Sequence, residues 1–247
     1  MSQSGIGRIE IFEDFLGEED PFAPASQTIK RSIGSLRVVG LGTADGDAGV
    51  TILEATPTLS GVGRLTASAT GGDVTALVTA KCFDVALMGT LVLEVRVQFE
   101  DLLTSSCFIG FCDTNDVAET IPAEISTTTL SIAATSCVGF VFDGNATTVD
   151  GWYFAYNGGT TAATTVSADV DSGIVLVEDE WDILRVEIDN DATARWYING
   201  VLKKTLEGAC STSTNLSAFV GVESEGGTAE TMDVDYILIR ANRDWTR

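Results

Sequence analysis

The sequence predicts an all-β protein. Apolar and polar side chains alternate with a period of two in run after run, and Gly, Asp, Asn, Ser and Thr punctuate those runs at short intervals. No segment keeps a helical period for three turns. The alternation is clearest in LVLEVRVQFE, where Leu93, Val95, Val97 and Phe99 share one face and Glu94, Arg96, Gln98 and Glu100 the other. One face of that strand belongs to a core and the other to a wetter surface.

Taken in order, residues 1–35 form an N-terminal arm or edge strand. RIEIFEDFLGEEDPFAPA places two alternating isoleucines, Ile9 and Ile11, before Phe12, Phe15, Leu16 and Phe22 and an acidic, proline-punctuated turn. From residue 36 to about residue 80, three or four short strands are separated by GTADGDAG and SATGGD. Further strands are expected over 108–112, 138–142, 152–156, 183–188, 194–198, 217–222 and 234–239. The stretches 126–136 and 160–169, rich in Thr, Ala and Ser, read as loops or exposed strands. In WDILRVEIDNDATARWYINGVLKKTL, Asp189, Asn190 and Asp191 mark one reversal. Asn199-Gly200 is the pair that a type I′ hairpin turn requires, with positive φ at both positions. No composition shift divides residues 36–247, so they are expected to form a single β domain.

Composition narrows the function. The 247 residues carry 14 basic and 36 acidic side chains, a formal charge of −22, which excludes the clustered cations needed to neutralise phosphates. Nucleic acid and anionic membrane are therefore not expected partners. Hydrophobic residues make up 45% and charged ones 20%, a balance that supports a buried core. No apolar run approaches the ~18 residues of a membrane-spanning helix, and MSQSGIGRIEIFEDF contains no apolar signal region. Histidine is absent, which removes Ser-His-Asp and Cys-His catalysis and imidazole metal ligands. The five cysteines (Cys82, Cys107, Cys112, Cys137, Cys210) form no CxxC pair and are expected to be reduced, buried and apolar in behaviour. Cys107 and Cys112, five apart on one strand, face opposite sides.

EVRVQFED, GFVFDGNATTVDGWYFAYNGGT, the hairpin run above and LSAFVGVESEGGTAETMDVDYILIR together resemble the concanavalin A-like or laminin G-like jelly roll, over roughly residues 60 to 241. The opening FEDFLG and the ending DVDYILIR resemble versions of this fold found as virion structural proteins of tailed bacteriophages. The resemblance implies a two-sheet antiparallel sandwich and a non-enzymatic capsid decoration or cement protein. It also implies a major capsid protein or other virion proteins as partners, a homo-oligomer such as a trimer, synthesis in the host cytoplasm and a place on the capsid exterior. No cofactor is expected.

The fold also hosts lectins and glycan hydrolases, so the site decides function. Hydrolases of this fold resemble one another in an ExDxxE or ExDxE strand, whose carboxylates stand about 5 to 5.5 Å apart for retention. Here Glu94 and Glu100 are six residues apart, near 20 Å on an extended strand at about 3.3 Å per residue, with Arg96 and Gln98 between them. No catalytic residue is assigned. Asp233 and Asp235 read as a solvated rim. Asp45-Gly46-Asp47, Asp113-Thr114-Asn115-Asp116 and Asp189-Asn190-Asp191 offer oxygen ligands, but turn formation accounts for all three and no metal site is assigned.

Two surfaces remain as candidates. For attachment, Ile9, Ile11, Phe12, Phe15, Leu16 and Phe22 anchor in a neighbouring subunit, or else Ile9 and Ile11 pair with the final strand at residues 236–239 and the rings seal one end. Lys203 and Lys204 either meet an acidic neighbour or protect an edge strand. For the alternative, a glycan-binding adhesin or tail receptor-binding module, Trp152, Tyr153 and Tyr156 form an aromatic platform with Asp143 and Asn157, although alternation sends one or two of the rings inward. Trp181 and Trp196 are expected in the core.

Overall fold

The computed structural model describes residues 7–16, 31–41, 49–53, 61–116, 120–146 and 151–243, and among them every regular element is a β-strand. The first six are β1 (Arg8–Glu13), β2 (Arg31–Ile33), β3 (Leu36–Leu41), β4 (Gly49–Ile52), β5 (Gly63–Ala67) and β6 (Val74–Val78). The middle of the chain supplies β7 (Leu91–Phe99), β8 (Ser105–Cys112), β9 (Ala123–Ser126), β10 (Thr129–Ile132), β11 (Cys137–Asp143) and β12 (Gly151–Asn157). The last six are β13 (Asp171–Val175), β14 (Asp182–Ile188), β15 (Ala194–Ile198), β16 (Val201–Leu206), β17 (Ser217–Ser224) and β18 (Glu230–Asn242). No helix among the described residues is long and apolar enough to cross a membrane.

These strands form a two-sheet antiparallel sandwich. The first sheet runs β16-β15-β14-β7-β18-β5-β4, with β1 added beside β18. The second runs β13-β12-β11-β8-β17-β6-β3-β2, and β9 and β10 make a separate hairpin. The first-to-last pairing occurs, with Ile11 opposite Ile239 and Phe12 opposite Leu238. β5 flanks the N-terminal half of β18 and β1 its C-terminal half, so the last strand lies inside its sheet.

The two sheets differ in how their outer faces are treated. In the first, β7, β14 and β15 alternate buried and half-buried residues, so the outer face meets solvent, as the sequence pattern requires. In the second, β6, β8, β11 and β17 are buried at every position. One side of that sheet faces its partner. The other carries Phe108 and Phe219, which pack edge to face at 5.9 Å and are fully buried. Glycines make room for them: a Cβ at Gly139 would sit 2.7 Å from Phe108 Cζ and 2.6 Å from the Ile109 carbonyl oxygen. The β9–β10 hairpin packs against β8 and β11 on this side.

Between the sheets, Phe99, Phe140, Phe142 and Trp152 form an aromatic cluster that continues through the Phe140–Phe154 contact to Tyr156 and Trp196. Burying each such ring contributes on the order of 1.5–3 kcal/mol. Trp196 Nε1 also donates to the Gly139 carbonyl at 2.8 Å, which satisfies the indole across the sheet interface.

Two local expectations are adjusted. The Asn199-Gly200 turn has positive φ at both positions (51° and 77°), as its type requires. At the preceding reversal, however, the left-handed residue is Ala192 (φ 63°), while Asp191 caps the turn by accepting from the Thr193 N–H at 2.9 Å. None of the five cysteines is in a disulfide, and four are buried, but Cys82 is exposed in the loop after β6.

Candidate functional site

The solvent-facing side of the first sheet is a lattice of guanidinium and carboxylate groups. Arg64 spans Asp233 and Glu100, donating through Nε to Asp233 Oδ1 at 2.7 Å and through Nη2 to Asp233 Oδ2 at 2.8 Å. Arg96 meets Asp235 at 2.7 Å and lies 4.7 Å over the Trp181 ring. Arg185 bridges Glu187 (2.5 Å) and Glu94 (3.2 Å), and Arg195 holds Asp189 (2.5 Å). Asp233 and Asp235 are thus paired residues rather than a solvated rim, and Glu94 and Glu100 answer to different arginines.

A bulge gives this face its aromatic component. The register of β18 against β7 slips between Val234 and Tyr236, so Asp235 and Tyr236, though adjacent in sequence, are both half-buried on the outer side. Tyr236 then donates its hydroxyl to Glu94 Oε1 at 2.9 Å, and Phe12 packs 6.1 Å from its ring. Burial, reinforced by the bond to Glu94, pushes the Tyr236 phenol up to about 12. Tyr197 donates to Glu187 at 3.3 Å. Burial pulls Arg185 down, but its bonds to Glu187 and Glu94 outweigh this and raise it overall.

Between these groups runs an open groove of about 460 Å³, lined by Glu94, Ile183, Arg185, Glu187, Tyr197 and Tyr236, and closed at one end by Asn199 and Gly200 of the hairpin turn. Its chemistry is that of a binding surface. Half-exposed rings stand beside fixed donors and acceptors, while each carboxylate already accepts from an internal partner.

The expected aromatic platform lies elsewhere and is closed. Trp152, Tyr153 and Tyr156 are 0%, 1% and 8% exposed, so none offers a ring face to a ligand. Trp152 and Tyr156 lie between the sheets, and Tyr153 is buried on the opposite side of the same strand beside Val141, because the second sheet is covered on both sides, a condition that a single strand's alternation does not reveal. Asp143 is buried too, accepting from the Ile125 and Asn145 N–H groups, and Asn157 donates to the Ala134 carbonyl. Trp181, expected in the core, is instead half-buried on the outer face. The groove's own residues, Arg185, Glu187 and Tyr197, share one face of the β14–β15 hairpin and carry no sequence motif.

The attachment candidates divide similarly. Phe15 is buried against Gly63 in the chain's own core, whereas Phe12 and Leu16 are 39% and 67% exposed. Ile9 and Ile11 are half-buried against the core, and Phe22 lies outside the described residues. Lys203 is exposed. Lys204 donates to the Asp169 carbonyl at 2.7 Å and sits 5.5 Å from the Tyr156 ring, so it closes the sandwich edge. Of the acidic loops, Asp45–Asp47 lies outside the described residues, and Asp113 accepts from Thr135 and Ser136 as a turn brace. Among the described residues, no group of three His, Cys, Asp or Glu is placed to hold a metal ion.

No protein-family model and no curated protein sequence matches the chain. Solved structures do. A protein of unknown function from Shewanella oneidensis MR-1 superposes at TM-score 0.60 with 14% identity, covering 100% of this chain and 92% of that one. The carbohydrate recognition domain of Emp47p does so at 0.55 and 11%, covering 89% and 94%. The β-glucanase of Bacillus licheniformis follows at 0.54 and 12%, covering 96% and 99%. The fold is therefore a concanavalin A-like jelly roll, which these neighbours share. At these identities the likeness defines the fold alone.

Proposed function

We propose that this chain is a non-enzymatic, glycan-binding jelly-roll module whose ligand lies along the outer face of the first sheet. The observation that carries the reading is the 460 Å³ groove in which Tyr197 and Tyr236 flank Arg185, Glu94, Glu187 and Asn199. Rings stack on the apolar faces of sugars while planar charged and amide groups bind hydroxyls, and hairpin and bulge geometry fixes both sets in advance. The face combines acidic and basic groups, which suits a neutral polysaccharide better than a polyanion. The test is a glycan array with the whole chain, repeated with Tyr236→Ala and Tyr197→Ala. Selective binding that both substitutions weaken supports the reading. Binding indifferent to them, or none to any glycan, overturns it.

A second reading, attachment to a phage particle as a decoration protein, draws on one specific relation. FEDFLG and DVDYILIR, the segments that resemble virion structural proteins, meet as strand partners, with Glu13 opposite Ile237 and Phe12 opposite Leu238. Phe12 and Leu16 remain exposed there as anchors for a capsid protein or a second copy of this chain. Stoichiometric sedimentation with intact particles, lost in Leu16→Asp, would support this reading. The same assay carried out with glycan-free particles separates it from the first.

A further inference from the structure

On the opposite side of the molecule, β8, β11 and β17 bring a row of polar groups together beneath the β9–β10 hairpin. Ser106 stands opposite Asp143 on one side and Glu223 on the other, and all three are at least nine-tenths buried. Asp143 is engaged, since Oδ2 accepts from Ile125 at 2.6 Å and Oδ1 from Asn145 at 2.9 Å. Glu223 is not fully engaged. It takes one hydrogen bond from the Ile121 N–H, but Oε2 is buried without a partner, as is Ser106 Oγ. Leaving a buried carboxyl oxygen unpaired is a cost that protein interiors rarely carry without a use.

Glu223 lines a cavity of about 320 Å³, together with Glu124 at its exposed mouth. The remaining wall is Gly72, Thr120, Ser131 and the apolar Ile121, Ile132 and Ala133. Glu225, which accepts from Asn145 Nδ2 at 2.8 Å, adds to the negative field. Burial first, then repulsion from Glu225, Glu124 and Asp143, pushes the Glu223 carboxyl up to about 8.

We infer that this cavity binds a primary ammonium group, hydrogen-bonded to the Glu223 carboxyl group once that side chain turns into the cavity, and attracted by Glu124, with the carbon skeleton of its bearer against Ile121 and Ile132. The acceptors select the ligand. An anion meets only carboxylates, and a hard metal needs six or more converging oxygens, which the described residues do not supply. An ammonium group has three N–H donors and no acceptor; on binding it, Glu223 releases to solvent the proton that it otherwise holds up to about 8, and the resulting carboxylate accepts from the ammonium. The volume admits a molecule of about monosaccharide size. The site is independent of the groove on the first sheet.

Isothermal titration of the whole chain at pH 7.5 tests this with butylamine and glucosamine against their neutral counterparts, butanol and N-acetylglucosamine. The expected result is saturable binding of at least one amine, about tenfold or more tighter than its neutral counterpart, and lost in Glu223→Gln. Glu124→Gln, on the exposed strand of the hairpin, weakens it less and leaves folding intact. Preference for glucosamine assigns an amino sugar, and preference for butylamine an alkylamine or lysine-like chain. Equal affinity for neutral and charged probes, indifference to Glu223→Gln, or calcium binding that the amines fail to displace would overturn the inference.

Discussion

Trp152 Nε1 donates to Asp182 Oδ2 at 2.8 Å, and the other oxygen of that carboxylate accepts from Asn199 Nδ2 at 2.8 Å. A residue fully buried in the second sheet is thereby tied, through one side chain, to the turn that closes the groove on the first. The core and the proposed glycan surface are mechanically connected at this point.

Trp152→Ala is therefore expected to fail as a test of ligand binding, because it opens a cavity and destabilises the fold by about 3–5 kcal/mol. Trp152→Phe keeps most of the packing and loses only the bond to Asp182, at about 1 kcal/mol. Urea denaturation of both variants, followed by tryptophan fluorescence, gives the comparison. Equal losses would show that the hydrogen bond matters more than the ring.

Arg185→Leu leaves Glu94 and Glu187 without their shared guanidinium. A stability loss of about 1–3 kcal/mol is expected, with loss of glycan affinity if the groove is the binding site. Arg64→Leu removes a comparable contact outside the groove and should spare affinity.

The buried acids give stability a pH dependence of unusual sign. Glu223 moves from an ordinary 4.5 up to about 8, and Asp143 from 3.8 up to about 7, in both cases mainly through burial. Each carboxyl therefore holds its proton more tightly folded than unfolded, so stability is highest below the ordinary value and is lost as pH rises through the folded one. Thermal unfolding should show Tm falling between pH 5 and 8, by the equivalent of roughly 1–3 kcal/mol once water reaching the cavity is allowed for. Glu223→Gln should flatten much of that slope, and a profile unchanged by the substitution would refute the assignment.

Gly139→Ala should cost about 1–3 kcal/mol, because the new methyl collides with both the Phe108 ring and the Ile109 carbonyl. Gly200→Ala, where the space around the residue is open, should cost less, about 1 kcal/mol, through its positive φ alone. Circular dichroism melts would rank the two.

Period-two alternation was sufficient to locate β7, β14 and β15, because those strands have one wet face and one dry face. The pairing of the first strand with the last was one of two readings that the sequence left open. Alternation could not locate the groove, which depends on four strands meeting edge to edge and on a bulge at Asp235 that no composition rule signals. Trp152, Tyr153 and Tyr156 misled for the same reason: a strand covered on both sides reads as a run of large residues whether they face ligand or core. Glu223 was equally silent, since SAFVGVES presents it as an ordinary polar residue at a strand end. Its significance arises only when two neighbouring strands and a hairpin enclose it.

The interior position of β18 has a consequence for how the molecule is made. Its partners β1, β5 and β7 all precede it in the chain, so none of them can be zipped together across the middle of the sheet until that segment leaves the ribosome. Closure depends on pairings between distant parts of the chain, which are slow to form and leave hydrophobic strand edges open in the interval. Nascent chains halted before residue 230 should therefore depend heavily on chaperones.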